Sequence, residues 1–519
     1  MMATTLPKLR RFALDVIILN DSSQVCYAGI ENNRPTGKRA NMYTNDIAFM
    51  TDFYEFTMAY TYFKEQRHEE IAYFDMFIRR IPDEGGYLIF NGLNRLIEAI
   101  QSFKFTEEQL TFLRQTEKFD EAFIDYLRRL KLNLDIWSVE EGMPVFENEP
   151  LVTVRGTYIQ AQLVETLLLL CVNYPTLITT KASRIVNAAR GRAVMEFGAR
   201  RAQGIDASIE GARAAVIAGC VGTSCTLAGM KFGIPISGTI AHSYIQLHDS
   251  EYEAFLTFSK IQPENAVFLV DTYDTLKSGV PNAIKVAKDF LIPNGHRLKG
   301  IRMDSGDLAY LSKRARIMLD EAGLTDCKII ASNSLDESII DDLILQDAKI
   351  DSFGVGENLI TSKSSPVLGG VYKVVAHEKD SEIIPKIKIS ENIEKITNPG
   401  FKRLIRFYDN TTNKALGDLI CLADEIIPMD EYTLFDPITP WKKKTITNYH
   451  YKQLQVPIFV NGELVYTTRN TMETRDFCKQ QMDTIWDEVK RLRNPHNYYV
   501  DLSLPLWTLK NRLIEENRK

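Results

Sequence analysis

Along residues 47–154 the apolar positions change period several times, fitting a helix over 51–63 and strands over 71–78, 87–90 and 144–154. That mixture predicts an α+β lobe. Residues 160–172 hold one of the most apolar runs in the chain and read as a buried helix, with a second helix over 180–189 carrying Lys181 and Arg184 on its early turns. After Arg190 the texture changes. Short β-rich runs at 193–197, 234–237, 266–270, 300–303, 328–331 and 350–353 each end in glycine or polar residues, and helical stretches such as 308–321 and 336–346 lie between them. Strands alternating with helices predict βαβ units and a parallel sheet, here closed or nearly closed into an irregular α/β barrel. Beyond Val375 the alternation stops. Residues 386–390, 402–408 and 456–467 read as antiparallel strands returning to the first lobe, which makes that lobe discontinuous, and 476–493 as an amphipathic helix. The expected organisation is an N-terminal extension over 1–41, an α+β lobe over 42–155, the barrel with the active site over 156–384, and a C-terminal segment over 385–519 that returns to the lobe and ends in helices. Met42 makes a plausible start for the folded part.

Composition narrows the function classes. The chain has 519 residues, 45% hydrophobic and 25% charged, enough apolar material for more than one packed core. Its net charge of −6 is small for that length, so no molecule-wide field recruits nucleic acid or anionic membrane. Any anionic substrate must be held by local cations. The seven cysteines, at 26, 171, 220, 225, 327, 421 and 478, show neither zinc-site pairing nor disulfide-framework density, and the expected setting is cytoplasmic.

In a parallel barrel the chemistry collects at the carboxyl ends of the strands. The first run is followed by Gly198, Arg200 and Arg201, the second by Gly238, Thr239 and His242, and the third by Asp271, Thr272 and Asp274. The fourth carries Arg302, Asp304, Ser305, Gly306 and Asp307, the fifth Ser332 and Asn333, and the sixth Gly354-Val355-Gly356. Singly, each has a plain structural reading: Ser-Gly-Asp after a strand is a common turn and cap, and Asp271 or Asp274 could cap the next helix. Their shared position at strand ends is what points to a site. Residues 267–275, reading V-F-L-V-D-T-Y-D-T, bear only a superficial likeness to the pyrophosphate-sugar loop of another fold, because Asp271 and Asp274 are not adjacent and no glycine follows Thr275.

Several longer motifs then occur in order: Thr51-Asp52-Phe53-Tyr54, Glu196-Phe197-Gly198-Ala199-Arg200-Arg201, Ser237-Gly238-Thr239-Ile240-Ala241-His242-Ser243, Ile301-Arg302-Met303-Asp304-Ser305-Gly306-Asp307, Gly354-Val355-Gly356 and Leu368-Gly369-Gly370-Val371-Tyr372-Lys373. Together with Asn494-Pro495 and Val500-Asp501-Leu502-Ser503 they make the chain resemble the nicotinate phosphoribosyltransferase family, of the type II phosphoribosyltransferase fold, from about Met42 onward. The resemblance implies nicotinate and phosphoribosyl pyrophosphate (PRPP) as substrates, ATP as a co-substrate, Mg2+ as cofactor and a homodimer with shared active sites.

It also implies roles. Phe197 would stack on one face of the pyridine ring and Tyr54, from the other subunit, on the second; Thr239 and Arg302 would hold its carboxylate. Arg200 and Arg201 would meet the pyrophosphate, Asp304 the ribose hydroxyls or the metal, and Gly354, Gly356, Gly369 and Gly370 with Thr361 the 5′-phosphate. His242 matches the histidine that the family phosphorylates with ATP. The metal ligands stay unassigned. Alternatives are a nicotinamide phosphoribosyltransferase, which shares the fold and the histidine, and a non-catalytic protein that binds NAD precursors. The doubled arginine and the presence of His242, Arg302 and Asp304 weigh against them.

Overall fold

Strand Ile71–Ile78 is buried on both faces, and its two faces do different work. Ala72, Phe74, Met76 and Ile78 enter the main apolar core, while Tyr73 packs on Phe401 and Asp75 pairs with Lys402 at 2.9 Å. The computed structural model describes residues 46–392 and 395–518, so the readings made for 1–41 and for Met42 lie outside the described residues. Among the described residues, Ile71–Ile78 sits inside a seven-stranded sheet in the order Glu382–Pro385, Gly370–Lys379, Ile71–Ile78, Val152–Thr157, Asp135–Val139, Gln455–Val460, Glu463–Leu464. All of its pairings are antiparallel. The chain thus leaves this lobe after Val152–Thr157 and rejoins it at Gly370, before the position expected from the sequence, and again at Gln455.

Between those visits lies the parallel sheet. Its order is Gly222–Thr223, Ala193–Glu196, Ser352–Val355, Lys328–Ala331, Gly300–Met303, Val267–Leu269. The expected strand at 234–237 is reduced to one bridge: Thr223 N–H donates to the Pro235 carbonyl and Ser237 N–H to the Thr223 carbonyl. Pro235 has no N–H to give to a further neighbour. No ladder joins this segment to Val267–Leu269, so the barrel is curled with one open seam.

The two helices expected at 160–172 and 180–189 are a short helix, Tyr158–Leu163, and one long helix, Glu165–Ala188, with Pro175 inside it. Pro175 cannot donate to the Cys171 carbonyl four residues earlier. Gly92 packs there instead, so closely that a Cβ on it would lie 2.1 Å from that oxygen. Thr176 and Thr180 then accept from the backbone N–H groups of Asn91 and Ile89, both at 3.0 Å. The helix is long and apolar enough to cross a membrane by composition, yet it is mostly buried among the lobe and barrel elements.

A third, four-stranded sheet holds Lys402–Asp409, Ala415–Leu422, Tyr449–Gln453 and Val500–Leu502. Strand 402–408 therefore joins this sheet and not the lobe sheet. The strand expected at 386–390 is absent, its neighbour Glu382–Pro385 pairing instead, and the helix expected at 476–493 runs Thr471–Thr484 behind an Asn470 and Glu473 capping box. Six free cysteines among the described residues are buried, and burial pushes the Cys220 thiol up.

Glu55 lies fully buried in the first helix, Phe53–Lys64, accepting from Thr51 Oγ1 and from the N–H and hydroxyl of Thr166. Burial outweighs these donors and pushes its carboxyl from 4.5 up to about 7. A raised acid pKa means stability that is full below the unfolded value and lost as pH rises through the folded one. Wild type should therefore lose up to about 3 kcal/mol relative to Glu55→Gln as pH climbs from about 4.5 past 7. Urea unfolding of both proteins across that range checks this, and parallel pH curves would refute it.

Candidate active site

Glu196 ends strand Ala193–Glu196 fully buried, and its carboxylate accepts from the Gly198 N–H and from Thr223 Oγ1. These bonds fix the turn that carries Phe197, whose own N–H donates to the Val355 carbonyl at 2.7 Å. The Phe197 ring rests on Gly354, where a Cβ would come within 2.5 Å of a ring carbon. Any side chain at 354 would push the ring away, so Gly354 has a packing reason of its own.

Phe197, Gly238, Thr239 and Gly354 line a cavity of about 470 Å3 that extends along the seam past Ile236 and Val267. Arg302, on the strand Gly300–Met303, donates from Nη1 to Thr239 Oγ1 at 2.6 Å, and its Nε is buried without a partner. Burial pulls this guanidinium below its usual value, Asp304 and Asp271 draw it back up, and Arg200 presses it down further. An arginine stays charged under such pressures, so its buried, unpartnered Nε carries the cost of an unsatisfied donor.

Asp271 accepts from the Asp304 N–H at 2.8 Å and from Ser305 Oγ at 2.6 Å, while its other oxygen is buried and unpartnered. The Asp304 carboxylate accepts from Ser332 Oγ. His242 starts the short helix His242–Gln246 with Nδ1 3.1 Å from Thr272 Oγ1. Asp274 and Asp307 act as helix caps, accepting from Leu276 and Lys277 N–H and from Tyr310 N–H.

Arg200 and Arg201 stand exposed on a single turn, Ala199–Arg201, with Arg201 3.7 Å from Glu357. Gly356 precedes the helix Glu357–Ile360, and Thr361 donates its hydroxyl to the Glu357 carbonyl at 2.8 Å. Gly369 has open space where a side chain would stand, and Gly370 abuts Asn173 so tightly that a Cβ would meet its Oδ1 at 2.2 Å. Of the expected site residues only Phe197, Thr239 and Gly354 line the cavity; Arg200, Arg201, His242, Arg302, Asp304, Gly356, Thr361, Gly369 and Gly370 lie outside its lining. Tyr54 does too, 45% exposed on the first helix beside Glu165. Among the described residues no other aromatic ring stacks on Phe197.

Glu196 and the cluster around Lys181 went unread in the sequence. Lys181, nearly fully buried, binds Glu337 at 2.9 Å, Asp83 at 3.0 Å and Ser364 Oγ at 2.7 Å, fastening the loop before Gly369 to the long helix. Its apolar surroundings in the helix gave a signal, since a lone lysine in a buried run needs partners.

A curled parallel half-barrel with an arginine, carboxylates, a ring and glycines at its strand ends defines an α/β-barrel protein with its polar side chains collected at the carboxyl ends of the strands. Profiles of the nicotinate phosphoribosyltransferase family match in three pieces: the N-terminal domain at residues 49–173, the family itself at 192–413 and the C-terminal domain at 401–510. The nicotinate phosphoribosyltransferase of Bacillus subtilis is 45% identical over 475 residues, covering 91% of this chain and 96% of that one. That of Dictyostelium discoideum is 34% identical, over 89% and 87%. The crystal structure of human nicotinic acid phosphoribosyltransferase superposes with a TM-score of 0.78 at 27% identity, covering 89% of this chain and 99% of that one. This chain belongs to the nicotinate phosphoribosyltransferase family.

Proposed function

We propose that the protein joins nicotinate to PRPP, releasing diphosphate and forming nicotinate mononucleotide, in the cytoplasm. The observation that carries this reading is the buried, unpartnered Nε of Arg302, whose Nη1 donates to Thr239, a residue that lines the cavity together with Phe197: a cation bonded to one wall residue and a flat apolar ring on the same cavity suit an aromatic carboxylate. Phe197 covers one face of the pyridine and Arg302 with Thr239 grips the carboxylate, leaving the ring nitrogen free to attack C1 of the ribose. Tyr54 of the partner subunit covers the other face.

Displacement at C1 builds positive charge on the sugar and negative charge on the departing diphosphate. Arg200 and Arg201 neutralise the leaving group. Asp304, braced by Ser332, takes the ribose hydroxyls, and the amides at Gly354, Gly356, Gly369 and Gly370 with Thr361 take the 5′-phosphate. The fit of magnesium rests on hard oxygens: Asp271 has an unpartnered buried oxygen beside Asp304, although no cluster of three or more ligating side chains occurs among the described residues. These two carboxylates would hold an ion bound chiefly by substrate phosphates, and the ion would supply charge neutralisation to the leaving diphosphate.

ATP enters through His242. With its Nδ1 engaged by Thr272, Nε2 is left to attack the γ-phosphorus of ATP, forming an N–P bond as the bond to ADP breaks. Later hydrolysis to phosphate couples ATP cleavage to synthesis. Wild-type protein incubated with γ-labelled ATP should gain an acid-labile label that His242→Asn lacks. That variant should retain slow ATP-independent synthesis and lose its stimulation by ATP. A variant that labels and responds like wild type would remove His242 from this role.

A further inference from the structure

Thr223 is fully buried and does not line the cavity, yet it is bonded to two segments that do. Its N–H donates to the Pro235 carbonyl at 3.0 Å and its carbonyl accepts from the Ser237 N–H at 2.9 Å, which joins it to the segment carrying Ile236, Gly238 and Thr239. Its hydroxyl donates to the Glu196 carboxylate, one residue before Phe197. The Cys225 N–H donates to the same hydroxyl oxygen at 2.9 Å, so the hydroxyl proton is left to point at Glu196.

The two segments are held unequally. On the Glu196 side the chain is wedged: a Cβ on Gly198 would lie 2.6 Å from Ile360 and 2.8 Å from the Gly356 carbonyl. On the other side Pro235, Ile236 and Gly238 are exposed, and no ladder among the described residues crosses the seam to Val267–Leu269. Thr223 is the sheet's hold on that segment.

Burial pushes the Glu196 carboxyl up, and Thr223 and then Gly198 hold it down, with no cation among the groups that act on it. A buried acid without a cation costs stability, so folding alone does not account for its place at this junction.

We propose that Thr223 and Glu196 are positioning residues that set the gap between the Phe197 ring and the Thr239–Arg302 pair, and through it the selection of a flat ring that carries a carboxylate. The inference rests on the reading that nicotinate lies between these groups. Phe197 follows Glu196 directly and Thr239 stands two residues after Ser237, so a slip of one segment against the other moves the stacking face away from the carboxylate's donors.

Thr223→Val keeps the side chain's shape and removes the hydroxyl, leaving the Cys225 N–H and one Glu196 oxygen without that partner. It should raise KM for nicotinate about tenfold while KM for PRPP changes less than about twofold, and Thr223→Ser should restore the wild-type value. The preference for nicotinate over nicotinamide should narrow with it. In a Thr239→Ala background Thr223→Val should add almost nothing to the nicotinate KM, because the donor that it positions is already gone.

Glu196→Gln keeps an acceptor for the Gly198 N–H, should show the same split between the two KM values, and carries the test where Thr223→Val does not fold. An unchanged nicotinate KM in the folded variant, an equal rise in both KM values, or full additivity with Thr239→Ala would overturn the inference. Wild-type protein that makes no nicotinate mononucleotide would instead remove the function on which the inference rests.

Discussion

Arg302→Ala is expected to weaken nicotinate binding by about 1.5–3 kcal/mol, roughly ten- to a hundredfold in KM or Kd, which is the scale of hydrogen bonds to a charged group. The guanidinium is held by a single side-chain bond to Thr239, and its buried Nε makes none, which in the proposed function leaves donors for the nicotinate carboxylate. Removing it also takes away the positive charge that faces Asp304 and Asp271. The same change should affect nicotinamide much less, because an uncharged amide gains little from a cation. Calorimetric titration of both ligands into the folded variant measures the difference. Unchanged nicotinate affinity would remove Arg302 from the pyridine site.

Arg406→Ala should cost about 3–5 kcal/mol of folding stability, since it strands a buried charge. Arg406 and Asp418 are both fully buried and joined by two bonds at 2.8 and 2.6 Å, and Arg406 also donates to the Pro144 carbonyl at 2.9 Å. Its guanidinium lies over the stacked rings of Phe146 and Tyr498. The Tyr498 hydroxyl donates to Asp418. Nearby, burial and then Asp418 push the Glu149 carboxyl well above its ordinary range. Without Arg406 the two acids face each other with no cation. Urea unfolding should show the loss, and Arg406→Met combined with Asp418→Leu should recover much of it. Equal stability of Arg406→Ala and wild type would show that this junction does not hold the third sheet to the lobe.

The parts of the fold that were legible are those where local pattern and tertiary environment agree. Strands such as Ile71–Ile78, Gly300–Met303 and Lys328–Ala331 are β-rich, flanked by polar or turn residues and long enough to show a pattern. Gly222–Thr223 has two residues and no period to detect, and at Ile236 a proline breaks the ladder that the apolar run suggests. The expected helices over 160–172 and 180–189 fall on either side of Pro175, which sits inside the one long helix. Only the threonines facing Asn91 and Ile89 and the approach of Gly92 make a proline acceptable there, and neither can be seen locally.

At the candidate site, Thr239, Arg302 and Asp304 stand out because they follow or end β-rich runs, while Phe197 and the roles of all four are what the family resemblance implies. Glu196 could not be told from any other strand residue until its two donors were in place. The destination of Lys402–Asp409 depended on the burial of Arg406, a residue whose sequence context says nothing of its partner.

The most direct test of the whole account is a single reaction: the full-length protein with labelled nicotinate, PRPP and Mg2+, with and without ATP, followed by separation of the products. The account predicts nicotinate mononucleotide and diphosphate in equal amounts, more of both when ATP is present, and much poorer use of nicotinamide in a parallel reaction. Absence of nicotinate mononucleotide under both conditions, or a preference for nicotinamide, would contradict it.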